Sequence, residues 1–240
     1  PDSFSDGGRF ADPGRAVEHA LAMVADGADI RDIGGESTRP GAEPVGEAEE
    51  FRRVLPVIRA LRSQSQVLIS IDTMKASVAR AALDAGADII NDVTGLRGDA
   101  AMVRLAAERD CGLVAMHMIG DPQTMQNEPH YENVVAEVRG YLEERLRVLT
   151  SAGIAPERIV LDPGFGFGKT LEHNLTLLRH LPELVVDGRP LLIGVSRKSM
   201  IGKVIHSTHM ADRYWPTVAL TAHAREHGAR IIRVHDVKPN

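Results

Sequence analysis

Seven apolar runs in this chain of 240 residues each stop at a cluster of polar residues that a core has no use for. The runs end at IGGESTRPG (33–41), SIDTMK (70–75), INDVTG (90–95), MHM (116–118), LDPGFGFGK (161–169), GVSRKS (194–199) and RVHDV (233–237), with amphipathic stretches between them. Strands alternating with helices imply parallel pairing and right-handed crossovers. A strand that delivers polar residues at one end is how a (β/α) barrel builds a site at its rim.

Apolar residues make up 43% of the chain and aromatics only 4%, so the core is mainly Ala, Val, Ile and Leu. That suits parallel strands buried on both faces. Helical periodicity recurs at 14–26, 47–61, 76–85, 99–109, 132–152, 173–181 and 217–227. The junctions ADGADIRDIGG (25–35), DAGADIINDVTG (84–95) and EHGARIIRVHDV (226–237) share one form: a helix end, a glycine able to take the left-handed cap, and a strand. No linker divides the chain, and residues 1–240 read as one domain. The run PDSFSDGG (1–8) behaves like a loop that follows a strand, and Asn240 comes soon after the seventh run. The expected fold is an α/β TIM (β/α)8 barrel whose first strand and last helix lie outside these residues. A smaller open sheet is the alternative, with the exposed edges that entails.

The formal charge of −5 argues against a polyanion binder, so no nucleic-acid partner is expected. No apolar stretch reaches the roughly 18 residues of a membrane span. The lone Cys111 excludes an internal disulfide and fits a reducing, cytoplasmic setting.

Asp72 and Asp162 stand where buried strands end, and a carboxylate there is costly without partners. Its natural use is to accept paired N–H donors from a planar heterocycle or an arginine. Asn91 adds an acceptor and two donors. The plainer reading of each is a helix cap. In DPGFGFGK (162–169) the glycines allow close backbone approach and Phe165 and Phe167 offer flat apolar surface. The segment does not fit the phosphate-binding G-x-x-x-x-G-K-[ST] frame. Arg39, Arg197, Lys198, Arg233 and His235 supply positive charge at strand ends, suited to a phosphate or pyrophosphate. Arg233 and His235 alternate along what reads as a strand and so share one face. The helical histidines show no metal spacing, and His117 reads as structural, with Met116 on the opposite face as a soft pocket wall.

Together these strings resemble the pterin-binding TIM-barrel family of dihydropteroate synthases. The matching motifs are PDSFSDGG (1–8), GGESTRPGA (34–42), IDTMK (71–75), INDV (90–93), DPGFGFGK (162–169), SRKS (196–199) and RVHDV (233–237), in the family's order. The resemblance implies condensation of 6-hydroxymethyl-7,8-dihydropterin pyrophosphate with p-aminobenzoate to give 7,8-dihydropteroate and pyrophosphate. It implies a pterin pocket of Asp72, Asn91, Asp162, Lys198 and Arg233, lined by Val93, Met116 and Gly194. Arg39 and His235 resemble the anion site, with Mg²⁺ carried on the pyrophosphate and no protein residue assigned as its ligand. Thr38, which also borders the pterin pyrophosphate, resembles the aminobenzoate pocket together with Pro40, Phe167, Lys198 and Ser199. Asp6, Arg39, Lys198 and Arg233 carry the catalytic roles, with Asp6 and Arg39 on loops that close over the site. The family also implies a homodimer.

The chain departs from the family pattern in places. The family's Asn just before the Pro1 motif falls outside these residues. Arg31 stands in IRDIGG where an apolar residue is usual, and is expected to snorkel past the helices at some local cost. DRYWPTVAL (212–220) replaces the commoner Gly-Ser or Gly-Thr helix start, with Pro216 acceptable in a first turn. Two other readings stay open on sequence: a methyltetrahydrofolate:corrinoid methyltransferase and a non-catalytic pterin binder. The STRPGA loop and SRKS are not needed by the former, and Asp6, Arg39, Lys198 and Ser199 are not needed by the latter.

Overall fold

The computed structural model describes residues 12–39 and 41–240; the Pro1 motif with Asp6, and Pro40, lie outside the described residues. Seven parallel strands follow one another around a curled half-barrel in chain order. They are β1 (Ile30–Gly34), β2 (Leu68–Asp72), β3 (Ile89–Asp92), β4 (Gly112–Met116), β5 (Ile159–Asp162), β6 (Leu191–Ile193) and β7 (Ala229–Ile232). The helices are α1 (Pro13–Ala25), α2 (Glu47–Arg62), α3 (Ala76–Asp84), α4 (Met102–Glu108), α5 (Val134–Ser151), α6 (Leu171–Arg179), α7 (Ser199–Val204) and α8 (Tyr214–Glu226).

Side chains alternate across a strand, and residues paired in register on parallel strands point the same way. Ile69, Ile71, Ile90, Leu113, Ala115, Leu161 and Ile193 are fully buried in the main core and pack toward the helices. The other set faces inward. Register pairs Gly34 with Asp72, Asp72 with Asn91, Asn91 with Val114, and Met116 with Asp162. Asp32, Asp72, Asn91, Met116 and Asp162 therefore share the inner face at one end of the sheet. That face encloses a cavity of about 1100 Å³.

Local signals place the helices. Asp12 accepts from the Arg15 amide at 2.9 Å ahead of Pro13, Asn133 caps α5 through the Ala136 amide at 3.0 Å, and Thr170 and His173 form a reciprocal capping box on α6. Pro216 lies in the first turn of α8 and the helix runs on normally. The short α7 carries no sequence signal, because six residues cannot display a helical period.

Arg31 does not snorkel. It is 3% exposed, and its guanidinium donates to the carbonyls of Ala20 at 2.9 Å, Ile30 at 3.1 Å and Ala28 at 3.5 Å. Burial pulls its pKa down, against the pull of Asp26 and Asp29. It ties the end of α1 to β1 instead of reaching for solvent. Among the described residues no helix is long and apolar enough to cross a membrane.

Candidate active site

Four polar side chains on the inner face form one array. Arg233 donates through Nε to Asp32 Oδ2 at 2.6 Å and through Nη2 to Asp72 Oδ2 at 3.0 Å. Asn91 Nδ2 lies 3.3 and 3.2 Å from the two oxygens of Asp32. The array reaches from the loop after the last strand to the first strand, so a single guanidinium joins two carboxylates that would otherwise repel.

The electrostatics follow from that crowding. Burial, then the neighbouring Asp32 carboxylate, push Asp72 up to about 7, while Arg233 opposes the shift. Arg233 is held firmly protonated, chiefly by Asp32, although half of its side chain faces the open cavity. Asp162 is raised by burial and steadied by the Gly164 amide, which donates to its Oδ1 at 2.7 Å. Lys198 is drawn down to about 8 by burial against the attraction of Asp162. Its ammonium donates to the Phe165 carbonyl and sits 4.7 Å above the Phe167 ring.

Thr38, Arg39, Asp72, Asn91, Phe167, Lys198, Ser199, Arg233 and His235 all line the cavity. Met116 is buried in an apolar cluster with Val93, Met118 and Met125, against Met74 and Phe167, of which Met125 and Phe167 border the cavity and Met116 does not. His117 is buried edge-on to Tyr141 at 4.8 Å and does not line the cavity. Asp6 and Pro40 fall outside the described residues.

Three expectations need correction. Phe165 offers no surface to a ligand: it is fully buried in the main core, and only Phe167 faces the cavity. Two phenylalanines separated by one glycine cannot face the same way in a turn this tight. Arg197 does not line the cavity with the other cations, and its guanidinium pairs with Asp236 through Nε at 2.9 Å. Arg233 and His235 do not alternate along a strand, since β7 ends at Ile232. The Arg233 amide still donates to the Ile193 carbonyl at 3.0 Å, but His235 turns aside, its amide 3.1 Å and its Nδ1 2.9 Å from Ser196 Oγ. Both reach the cavity from a loop.

Sequence reasoning missed Asp32. The usable signal was a carboxylate two residues before Gly34, on the same side of β1 as the strand end. It also missed the clamp behind the GESTR loop, where Lys75 pairs with Glu36 and, at 2.6 Å, with the fully buried Glu50.

Acceptors for a flat heterocycle, cations for an anion and an aromatic wall beside them define an enzyme site on a barrel rim. Residues 1–235 match the family model described as pterin binding enzyme. The chain is 52% identical to the dihydropteroate synthase of Neisseria meningitidis serogroup C, covering 99% of this chain and 85% of that one. The structure of the Yersinia pestis dihydropteroate synthase with a sulfonamide drug complex matches at TM-score 0.96 and 44% identity, over 100% of this chain and 86% of that one. That of Burkholderia cenocepacia, complexed with 7,8-dihydropteroate, matches at TM-score 0.89 and 50% identity, over 95% and 83%. The chain belongs to the pterin-binding enzyme family, among its dihydropteroate synthases.

Proposed function

We propose that this chain joins the methylene carbon of 6-hydroxymethyl-7,8-dihydropterin pyrophosphate to the amino nitrogen of p-aminobenzoate, releasing pyrophosphate and a proton and leaving 7,8-dihydropteroate. The observation that carries this reading is the meeting of the Asp32–Arg233–Asp72–Asn91 array with Lys198 and Phe167 around one cavity, with Asp162 buried close to Lys198 and Arg233.

Asp72, Asp162 and Asn91 accept and donate along the polar edge of the pterin, and Arg233 stacks on its face, where a planar guanidinium serves better than an ammonium. The carboxylates favour the positive charge that builds on the methylene as the C–O bond breaks. Arg39 and His235 meet the departing pyrophosphate, whose charge is greatest in the transition state. Thr38, Phe167, Lys198 and Ser199 border the aminobenzoate, whose nitrogen attacks the carbon without any covalent enzyme intermediate. Among the described residues no group of His, Cys, Asp or Glu is placed to cage a metal. Mg²⁺ belongs to the proposal as an ion carried on the pyrophosphate.

Purified protein given both substrates forms dihydropteroate. Arg39→Ala lowers kcat by roughly 100- to 1000-fold, the range of one lost charge-stabilising donor. Full turnover in that variant would remove Arg39 from the reaction.

The homodimer and the cytoplasmic setting remain parts of the same proposal. Trp215 is 71% exposed and packs edge-on to Tyr214 at 5.2 Å, with Met210 and Val204 also exposed, which supports a docking face on α7 and α8. Sedimentation at micromolar concentration gives a dimer mass, and Trp215→Glu shifts it toward the monomer; a monomeric wild type would exclude the dimer.

A further inference from the structure

The turn after β5 lies outside the sheet ladders, so its carbonyls must find donors elsewhere. Five in a row do, and each accepts from a side chain, with the Phe167 amide also donating to Gly164 O at 3.1 Å. Lys169 Nζ donates to Gly164 O at 2.9 Å and to Phe167 O at 3.0 Å. Lys198 donates to Phe165 O, Gln126 Nε2 to Gly166 O at 2.6 Å, and Tyr131 Oη to Gly168 O at 2.9 Å. Lys169 alone holds two of the five, at both ends of the bend that turns Phe167 toward the cavity.

Its third neighbour is His117 Nδ1, at 2.9 Å. Lys169 is 3% exposed, and burying an amine at this depth is expensive without full pairing. An ammonium has three donors for three acceptors, His117 then carrying its proton on Nε2. A neutral amine would keep both carbonyls and accept from His117 instead. The backbone is held in either state. The turn leaves no slack: Gly164 has φ +68°, and a Cβ there would lie 1.9 Å from the His117 carbonyl.

We infer that Lys169 is a positioning residue that fixes the Gly164–Gly168 turn, and through it the Phe167 ring and the Lys198 ammonium, so that it governs affinity for p-aminobenzoate more than for the pterin. The inference rests on the functional reading above, in which Phe167 and Lys198 border the aminobenzoate. Of the pterin's three acceptors, Asp72 and Asn91 stand on β2 and β3, apart from this turn, and only Asp162 touches it, through the Gly164 amide.

The test is steady-state kinetics with each substrate varied in turn. Lys169→Met keeps the length of the side chain and removes its donors. The expected result is a KM for p-aminobenzoate raised about tenfold or more, the loss of one to two hydrogen bonds, with the KM for the pterin pyrophosphate within about threefold. Circular dichroism and thermal unfolding establish that the variant is folded. His117→Leu removes only the third neighbour and serves if Lys169→Met does not fold; its expected change has the same direction and is smaller, about threefold. A folded variant whose two KM values are both unchanged, or rise together, overturns the inference. Wild-type protein that forms no dihydropteroate overturns the functional reading instead.

Discussion

Arg233→Ala lowers kcat/KM by roughly 30- to 1000-fold. Truncating one partner of a hydrogen-bonded charge pair costs about 2–5 kcal/mol, and the lower part of that range applies because half of the Arg233 side chain meets water in the cavity. The loss goes beyond a missing contact. Asp32 and Asp72 are left facing each other with no cation between them, so one of them takes up a proton. The pterin then meets a carboxylic acid where it needs an acceptor. Arg233→Lys recovers little, because one ammonium cannot reproduce donation from Nε to one carboxylate and from Nη2 to the other. Single-turnover kinetics with saturating aminobenzoate measure the effect; a change of less than about threefold in Arg233→Ala would contradict the assigned role.

Pterin affinity falls toward tenfold per pH unit below pH 7, reaching roughly 50-fold between pH 7 and pH 5, as expected for one proton that must leave before binding. The group is Asp72, which burial and Asp32 push up to about 7. The pterin's N–H groups need its ionised form, which predominates only above that value. Stability runs the other way. Because the folded carboxyl holds its proton more tightly than the unfolded one, whose pKa is about 3.9, its contribution to the ligand-free protein is full below pH 4 and is lost as pH rises through 7. Fluorescence titration with the pterin from pH 5 to 9 reads the binding limb. Asp72→Asn abolishes this dependence and leaves the affinity uniformly weak. An affinity flat across the range in the wild type would show that Asp72 is already ionised at low pH.

Most of the frame was legible in the sequence because periodicity and punctuation reported on it directly. All seven runs became parallel strands in chain order, and Asp72, Asn91, Asp162, Lys198 and Arg233 came together at one end. The misreadings have local causes. Asp32 sits inside a strand rather than at its tip, so only the register of β1 against β2 reveals that it faces inward with Asp72. The positive charges were read as equivalent, yet Arg197 pairs with Asp236, three residues beyond Arg233, in a contact that no spacing rule anticipates. Lys169 ends the glycine-rich segment, and the sequence assigns it no role. Its partners are carbonyls of that same loop, which become visible only when the turn is traced atom by atom.

The central claim is that one rim holds a pterin pyrophosphate and delivers an amine to it. The most direct test follows pyrophosphate and dihydropteroate in the same reaction, with and without p-aminobenzoate. The account predicts dihydropteroate formed mole for mole with aminobenzoate consumed, and pyrophosphate release that depends on aminobenzoate. A silent binder gives neither product, and a methyltransferase leaves the pyrophosphate intact. Pyrophosphate released with no dihydropteroate formed would contradict the account.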